Sequence, residues 1–271
     1  MIEKYYDGAI EQVAAGLGTV EKNYLLVRYS GQFSVENLND TKQLEKNEDI
    51  FVQVHEFETG EITCAYEPYL TMICDGFRRY MTGTFEEFME TCDVYYLHRP
   101  VLLGYFNQDN TGREEIILLD EVAYEQERML AALERMLCAI ADRHPVLFVL
   151  NRFQLASKST MQLTARFLKC ENCNIGLVLG VSDIQAMPEF LVPDWEMLYE
   201  TLDDGSKIYH IGNSGRKKEE TIDDEKYVDY GSEKVYRKLQ NMVEFLDFDQ
   251  AAYYLETIER KIKFDNLLVD D

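Results

Sequence analysis

The stretch that decides the fold is His144-Pro145-Val146-Leu147-Phe148-Val149-Leu150-Asn151-Arg152-Phe153-Gln154-Leu155-Ala156-Ser157, continued by Ile175-Gly176-Leu177-Val178-Leu179-Gly180-Val181-Ser182. Val146–Leu150 is five apolar residues with no alternation, the pattern of a parallel strand covered on both faces. The periodicity from about Ser157 to Lys169 predicts a helix, and 175–181 predicts a second strand. Strand, helix and strand joined by short links form a right-handed crossover unit, so the middle of the chain is α/β.

Working outward, Val122, Met129, Leu130, Leu133, Met136, Leu137 and Ile140 fall on one face of a long helix before that unit. Residues 1–20 carry Ile10, Val13, Ala14 and Leu17 at helical spacing, Tyr24–Val27 is a short buried strand, and Ile50–Val54 is a second strand. Residues 34–49 are polar, with only Val35, Leu38 and Leu44 apolar. The pattern turns helical again at Tyr69–Phe77, and Thr84 with Glu87 forms a capping box. Residues 203–231 are charged and contain Arg216-Lys217-Lys218, which predicts a linker or hairpin. Two amphipathic helices follow, joined at Asp247-Phe248-Asp249. The expected organisation is an α/β domain over 1–202, a charged segment over 203–231 and a helical hairpin over 232–271.

The chain has 271 residues, 50 acidic and 27 basic, for a net charge of −23. At 46% hydrophobic and 12% aromatic it can bury a sizeable core. The charge argues against direct nucleic-acid binding or adhesion to anionic lipid, because both repel an acidic surface. It favours a basic protein partner. No apolar run reaches the roughly 20 residues of a membrane span. The opening Met1-Ile2-Glu3-Lys4 leads into a mixed polar segment, and six scattered cysteines show no disulfide framework, so a reduced, cytoplasmic protein is expected.

Two motifs invite chemistry and have simpler explanations. Cys170-x-x-Cys173 has no second pair to complete a zinc site, and it closes a helix where a redox pair would open one. Leu118-Leu119-Asp120-Glu121 resembles a strand ending in magnesium-binding acids, but a long helix starts at once after it. Asp120 then serves as helix N-cap, with Glu121 in the first turn. No metal ligands and no cofactor are expected.

The segment Glu127–Asp183 resembles the ATPase domain of STAND proteins, the signal-transduction ATPases related to AAA+ proteins, which stand ahead of TPR repeats in bacterial regulators. The resemblance extends more loosely over residues 18–200. Tyr24–Gly31 matches a first strand entering a phosphate loop, and Tyr66-Glu67-Pro68-Tyr69 matches the start of a later helix. It implies a P-loop NTPase-like parallel sheet flanked by helices, and the last two helices are similar to a TPR pair. One such pair cannot bury both of its faces alone. Either it packs on the core or it belongs to a longer repeat array.

The residues that would bind nucleotide depart from that pattern. A phosphate loop needs small glycines, a Lys for the phosphates and a Ser or Thr for magnesium. From Gly31, the second glycine becomes Glu36, the Lys becomes Asn37 and the Ser/Thr becomes Leu38, with no Lys between Arg28 and Lys42. The two acids after the central strand become Asn151 and Arg152, and the sensor Arg becomes Ser182. Asn is no anionic magnesium ligand, and Arg is no base for water. The resemblance therefore implies a pseudo-ATPase that works as a protein-interaction or regulatory module. Two alternatives stay open: a cryptic ATPase in which Arg28 or Arg152 replaces the missing Lys, or one using Asp120 and Glu121, and an acidic binder of basic proteins.

Overall fold

A computed structural model of the chain describes residues 2–19, 23–30, 33–35, 38, 49–58, 63–108, 121–170, 174–182, 187–202, 208–211 and 233–269. Among these residues five strands, β1 (Tyr24–Tyr29), β2 (Phe51–Glu56), β3 (Val146–Asn151), β4 (Ile175–Ser182) and β5 (Ile208–Ile211), form one sheet in the order β2-β3-β4-β1-β5. Every neighbouring pair is parallel. The register sets Glu56 beside Asn151 and Tyr29 beside Ser182, and with Leu150 beside Leu179 the ends of β1 and β4 run two residues past those of β2 and β3.

The two faces are covered unequally. Leu25, Val27 and Tyr29 of β1, Leu147 and Val149 of β3 and Val178 of β4 pack against α1 (Ile2–Gly16) through Tyr6, Ala9, Ile10 and Val13. Phe33, Val35 and Leu38, from the chain that leaves β1, complete this layer. The opposite face packs on α2 (Tyr69–Tyr80), α5 (Val122–Ala141), α6 (Lys158–Lys169) and α7 (Val192–Leu202). All of β3 and β4 is buried, which explains why their sequences do not alternate. The short helices α3 (Phe85–Thr91) and α4 (Arg99–Asn107) pack beside α2, where Phe77 meets Phe85, Phe88 and Phe106. The Thr84–Glu87 capping box opens α3 in both directions, as its sequence predicts.

The chain ends in α8 (Glu233–Glu244) and α9 (Phe248–Val269). Their turn, Phe245-Leu246-Asp247, lies two residues earlier than the spacing predicts. Phe245 is buried against Tyr66 and Tyr105, so α8 stops where its last apolar residue enters the core.

The hairpin is attached through the N-terminus of α6. The first turn of any helix leaves backbone N–H groups without partners. Here Lys158 N–H donates to Gln250 Oε1 (3.3 Å), Ser159 N–H to Asp247 Oδ2 (3.2 Å) and Thr160 N–H to Ser157 Oγ (3.2 Å). Lys158 also pairs with Asp249, and Ala65 N–H donates to Asn241 of α8 (3.1 Å). The hairpin thus packs on the α/β layer.

Two further expectations change, and one element is new. Residues 203–231 contain β5, which pairs with β1 from Leu26↔Ile208 to Tyr29↔Ile211. Its four residues are too short for an alternation signal, and the open edge of β1 supplies what the local sequence does not. The rest of that stretch lies outside the described residues. Glu121, not Asp120, takes the N-cap position of α5, and its side chain makes no capping hydrogen bond; Asp120 lies outside the described residues. The helix at 192–202 is not among the expected elements, although Trp195, Leu198, Tyr199 and Leu202 stand at helical spacing, with Leu198 and Leu202 buried.

Candidate functional site

The strand order locates the site. The connection out of β1 runs toward β2, at one edge, while the connection out of β4 runs past β1 to β5, at the other. Neighbouring strands whose following connections diverge open a crevice at their carboxyl ends, the usual place for a ligand in open α/β sheets. That crevice lies between β1 and β4.

Polar side chains gather there because strand alternation turns the terminal residues of β1, β2 and β3 to the α1 face. Tyr29 follows Leu25 and Val27, Asn151 follows Leu147 and Val149, and Glu56 follows Val52 and Val54. Tyr29 Oη donates to Asn151 Oδ1 (2.6 Å), and Asn151 Nδ2 donates to the Phe33 carbonyl (3.1 Å). Asn151 is fully buried, and its amide uses one end on the phenol and the other on the loop after β1. Burial pushes the Tyr29 phenol up to about 12, with the Arg152 guanidinium pulling the other way.

Glu56 gathers the loop from the other side. Its Oε2 accepts from Ser34 Oγ (2.8 Å) and Val35 N–H (3.1 Å), and its Oε1 stands 3.3 Å from an Arg152 amino nitrogen. Arg152 holds a left-handed backbone (φ 53°), unusual for a residue with a Cβ. It turns the chain out of β3 into the short 3-10 turn Phe153–Leu155. Gln154 of that turn is clamped to the end of β4, donating to the Ser182 carbonyl (3.2 Å) and accepting from Ser182 N–H (3.3 Å).

Gly180 of β4 allows this packing. A Cβ there would overlap the Tyr6 hydroxyl and come within 2.7 Å of Asn151 Oδ1. The Tyr6 hydroxyl is buried with no hydrogen-bond partner among the described residues, and desolvation holds its pKa well above the ordinary value.

The structure brings several of the sequence-predicted positions together. Asn151, Arg152 and Ser182 line the same strand ends. Leu38 is fully buried in the α1-side core, its N–H on the Val35 carbonyl (3.1 Å), so the residue at the Ser/Thr position is a packing group. Gly31, Glu36 and Asn37 lie outside the described residues, as do Cys173 and Asp183. Cys170 closes α6 as its C-cap.

The two cations of the cryptic-ATPase alternative lie apart, and only Arg152 is at the site. Arg28 is on the opposite face of β1, its guanidinium 5.9 Å over the Tyr199 ring, and Arg152 faces Glu56. Glu121 precedes a helix and ends no described strand. Among the described residues, no group of three or more His, Cys, Asp or Glu could hold a metal ion, and no helix is long and apolar enough to cross a membrane.

Sequence reasoning missed Tyr29, Glu56 and Gln154. The available signal was positional: each of three apolar strands ends on a polar side chain, and strand ends are where a parallel sheet keeps its polar residues. No known protein-family model and no curated protein matches this chain.

Proposed function

We propose that the chain is a P-loop NTPase-like domain of the STAND type that has given up nucleotide chemistry and acts as a protein-interaction or regulatory module. The observation that carries this reading is the Asn151 amide. At the strand end where magnesium chemistry needs an anionic ligand, the chain places a neutral, fully buried group with both ends committed to Tyr29 and the Phe33 carbonyl. The parallel order 2-3-4-1-5, with a loop leaving β1 at the divergence point, supports the fold half of the proposal. The replacements at Asn37, Leu38 and Ser182 support the loss of activity.

An active relative uses nucleotide to tie loop, sheet and helical lid into alternative arrangements. In this chain side chains make comparable ties: Asn151 and Glu56 hold the loop, and Asp247 and Gln250 hold the hairpin. The domain then keeps one arrangement and offers its surface to a partner, which the net charge of −23 favours as basic. Thermal melting with and without Mg-ATP tests the reading, since a ligand that binds only the folded state raises the melting temperature. An unchanged melting temperature is expected; a rise that grows with Mg-ATP concentration overturns it.

A further inference from the structure

Glu56 has the surroundings of a bound anion. Its carboxylate accepts a backbone N–H and a hydroxyl from consecutive residues of one loop, Val35 and Ser34, and faces the guanidinium of Arg152. Loop N–H groups combined with an Arg make the ordinary chemistry of an oxyanion site. The location agrees, because the group sits where the strands end on the α1 face, beside the loop that leaves β1. Solvent reaches it: the Glu56 and Arg152 side chains are 17% and 26% exposed.

We propose that Ser34, Val35 and Arg152 form an oxyanion subsite that Glu56 fills from within the chain, and that the subsite takes up inorganic phosphate when this carboxylate is removed. The inference rests on the reading of the crevice as occupied by the chain itself. Glu56 is then a built-in ligand, holding the loop after β1 in its bound arrangement at all times. A carboxylate on the same polypeptide has no association entropy to overcome, so it outcompetes a free anion at ordinary concentrations.

The test is Glu56→Ala, which removes the carboxylate and leaves the three donors facing an empty space. The variant is expected to melt at least about 4 °C below the wild type in chloride buffer. Phosphate at about 50 mM, compared with chloride at equal ionic strength, is expected to raise the variant's melting temperature and leave the wild type's unchanged. The double variant Glu56→Ala/Arg152→Ala is expected to lose that response. Equal responses of wild type and Glu56→Ala to phosphate, or none in either, overturn the proposal. If Glu56→Ala does not fold in chloride, refolding it in phosphate gives the same readout: recovery in phosphate alone supports the subsite, and failure in both buffers overturns it. Mg-ATP binding by the wild type contradicts the proposed function and leaves the Glu56→Ala result to be judged by itself.

Discussion

Asn151 shows how one buried side chain can tie two strands and a loop together. An amide is both donor and acceptor, and here the phenol of Tyr29 supplies a proton while the Phe33 carbonyl takes one. A carboxylate of the same shape can satisfy only the first. Asn151→Asp is therefore expected to cost about 3 kcal/mol, as a buried charge facing a carbonyl, measured by urea unfolding. An unchanged midpoint contradicts the network. Gly180 makes a second prediction at this scale. A methyl group there meets the Tyr6 ring and Asn151, neither of which has room to retreat, so Gly180→Ala is expected to lose about 1–3 kcal/mol in the same assay. Asn151 and Arg152 were legible in the sequence because they follow an unmistakable strand. Tyr29 and Glu56 were not, because their partners lie far along the chain and only the sheet register brings them together: Tyr29 and Asn151 are 122 residues apart.

At the scale of elements, the junction between α6 and the hairpin controls how firmly the last two helices are held. Asp247 and Gln250 cap two of the first N–H groups of α6. Asp247→Ala is expected to lose about 1–2 kcal/mol and to speed hydrogen exchange at the Ser159 amide relative to those of β3. Unchanged protection at that amide contradicts the capping role. Burial holds the Asp247 carboxyl above its ordinary value of 3.8, despite its bonds to Ser159 and the nearby Lys158 charge. A folded pKa above the unfolded one means the folded state binds more protons in between. The contribution is complete below 3.8 and is lost as pH rises through the folded pKa. The stability of the wild type relative to Asp247→Asn is therefore expected to fall with pH across that window, and a difference that is flat or rises contradicts it. The helices of this junction were legible from their apolar spacing. The junction itself was not, since nothing local marks Asp247 as a cap for a helix that starts 89 residues earlier. β5 escaped for a related reason, because four residues become a strand only against the edge of β1.

At the scale of the whole molecule, the fold was more legible than the site. The unbroken apolar runs of β3 and β4 announced a parallel sheet covered on both faces, and the spacing of the flanking helices supplied the cover. The order of the strands was not legible, because pairing between distant segments leaves no periodic trace. The excess of acid has a local counterpart: Glu56 stands within the candidate site, beside the neutral, buried amide of Asn151 at the end of the neighbouring strand. The central claim is that the chain's own side chains occupy this crevice in place of a nucleotide. Calorimetric titration of the wild-type protein with Mg-ATP and Mg-GTP tests it most directly. The account predicts no binding heat at protein and ligand concentrations that detect affinities of about 100 μM. Saturable binding of either nucleotide in the micromolar range contradicts it.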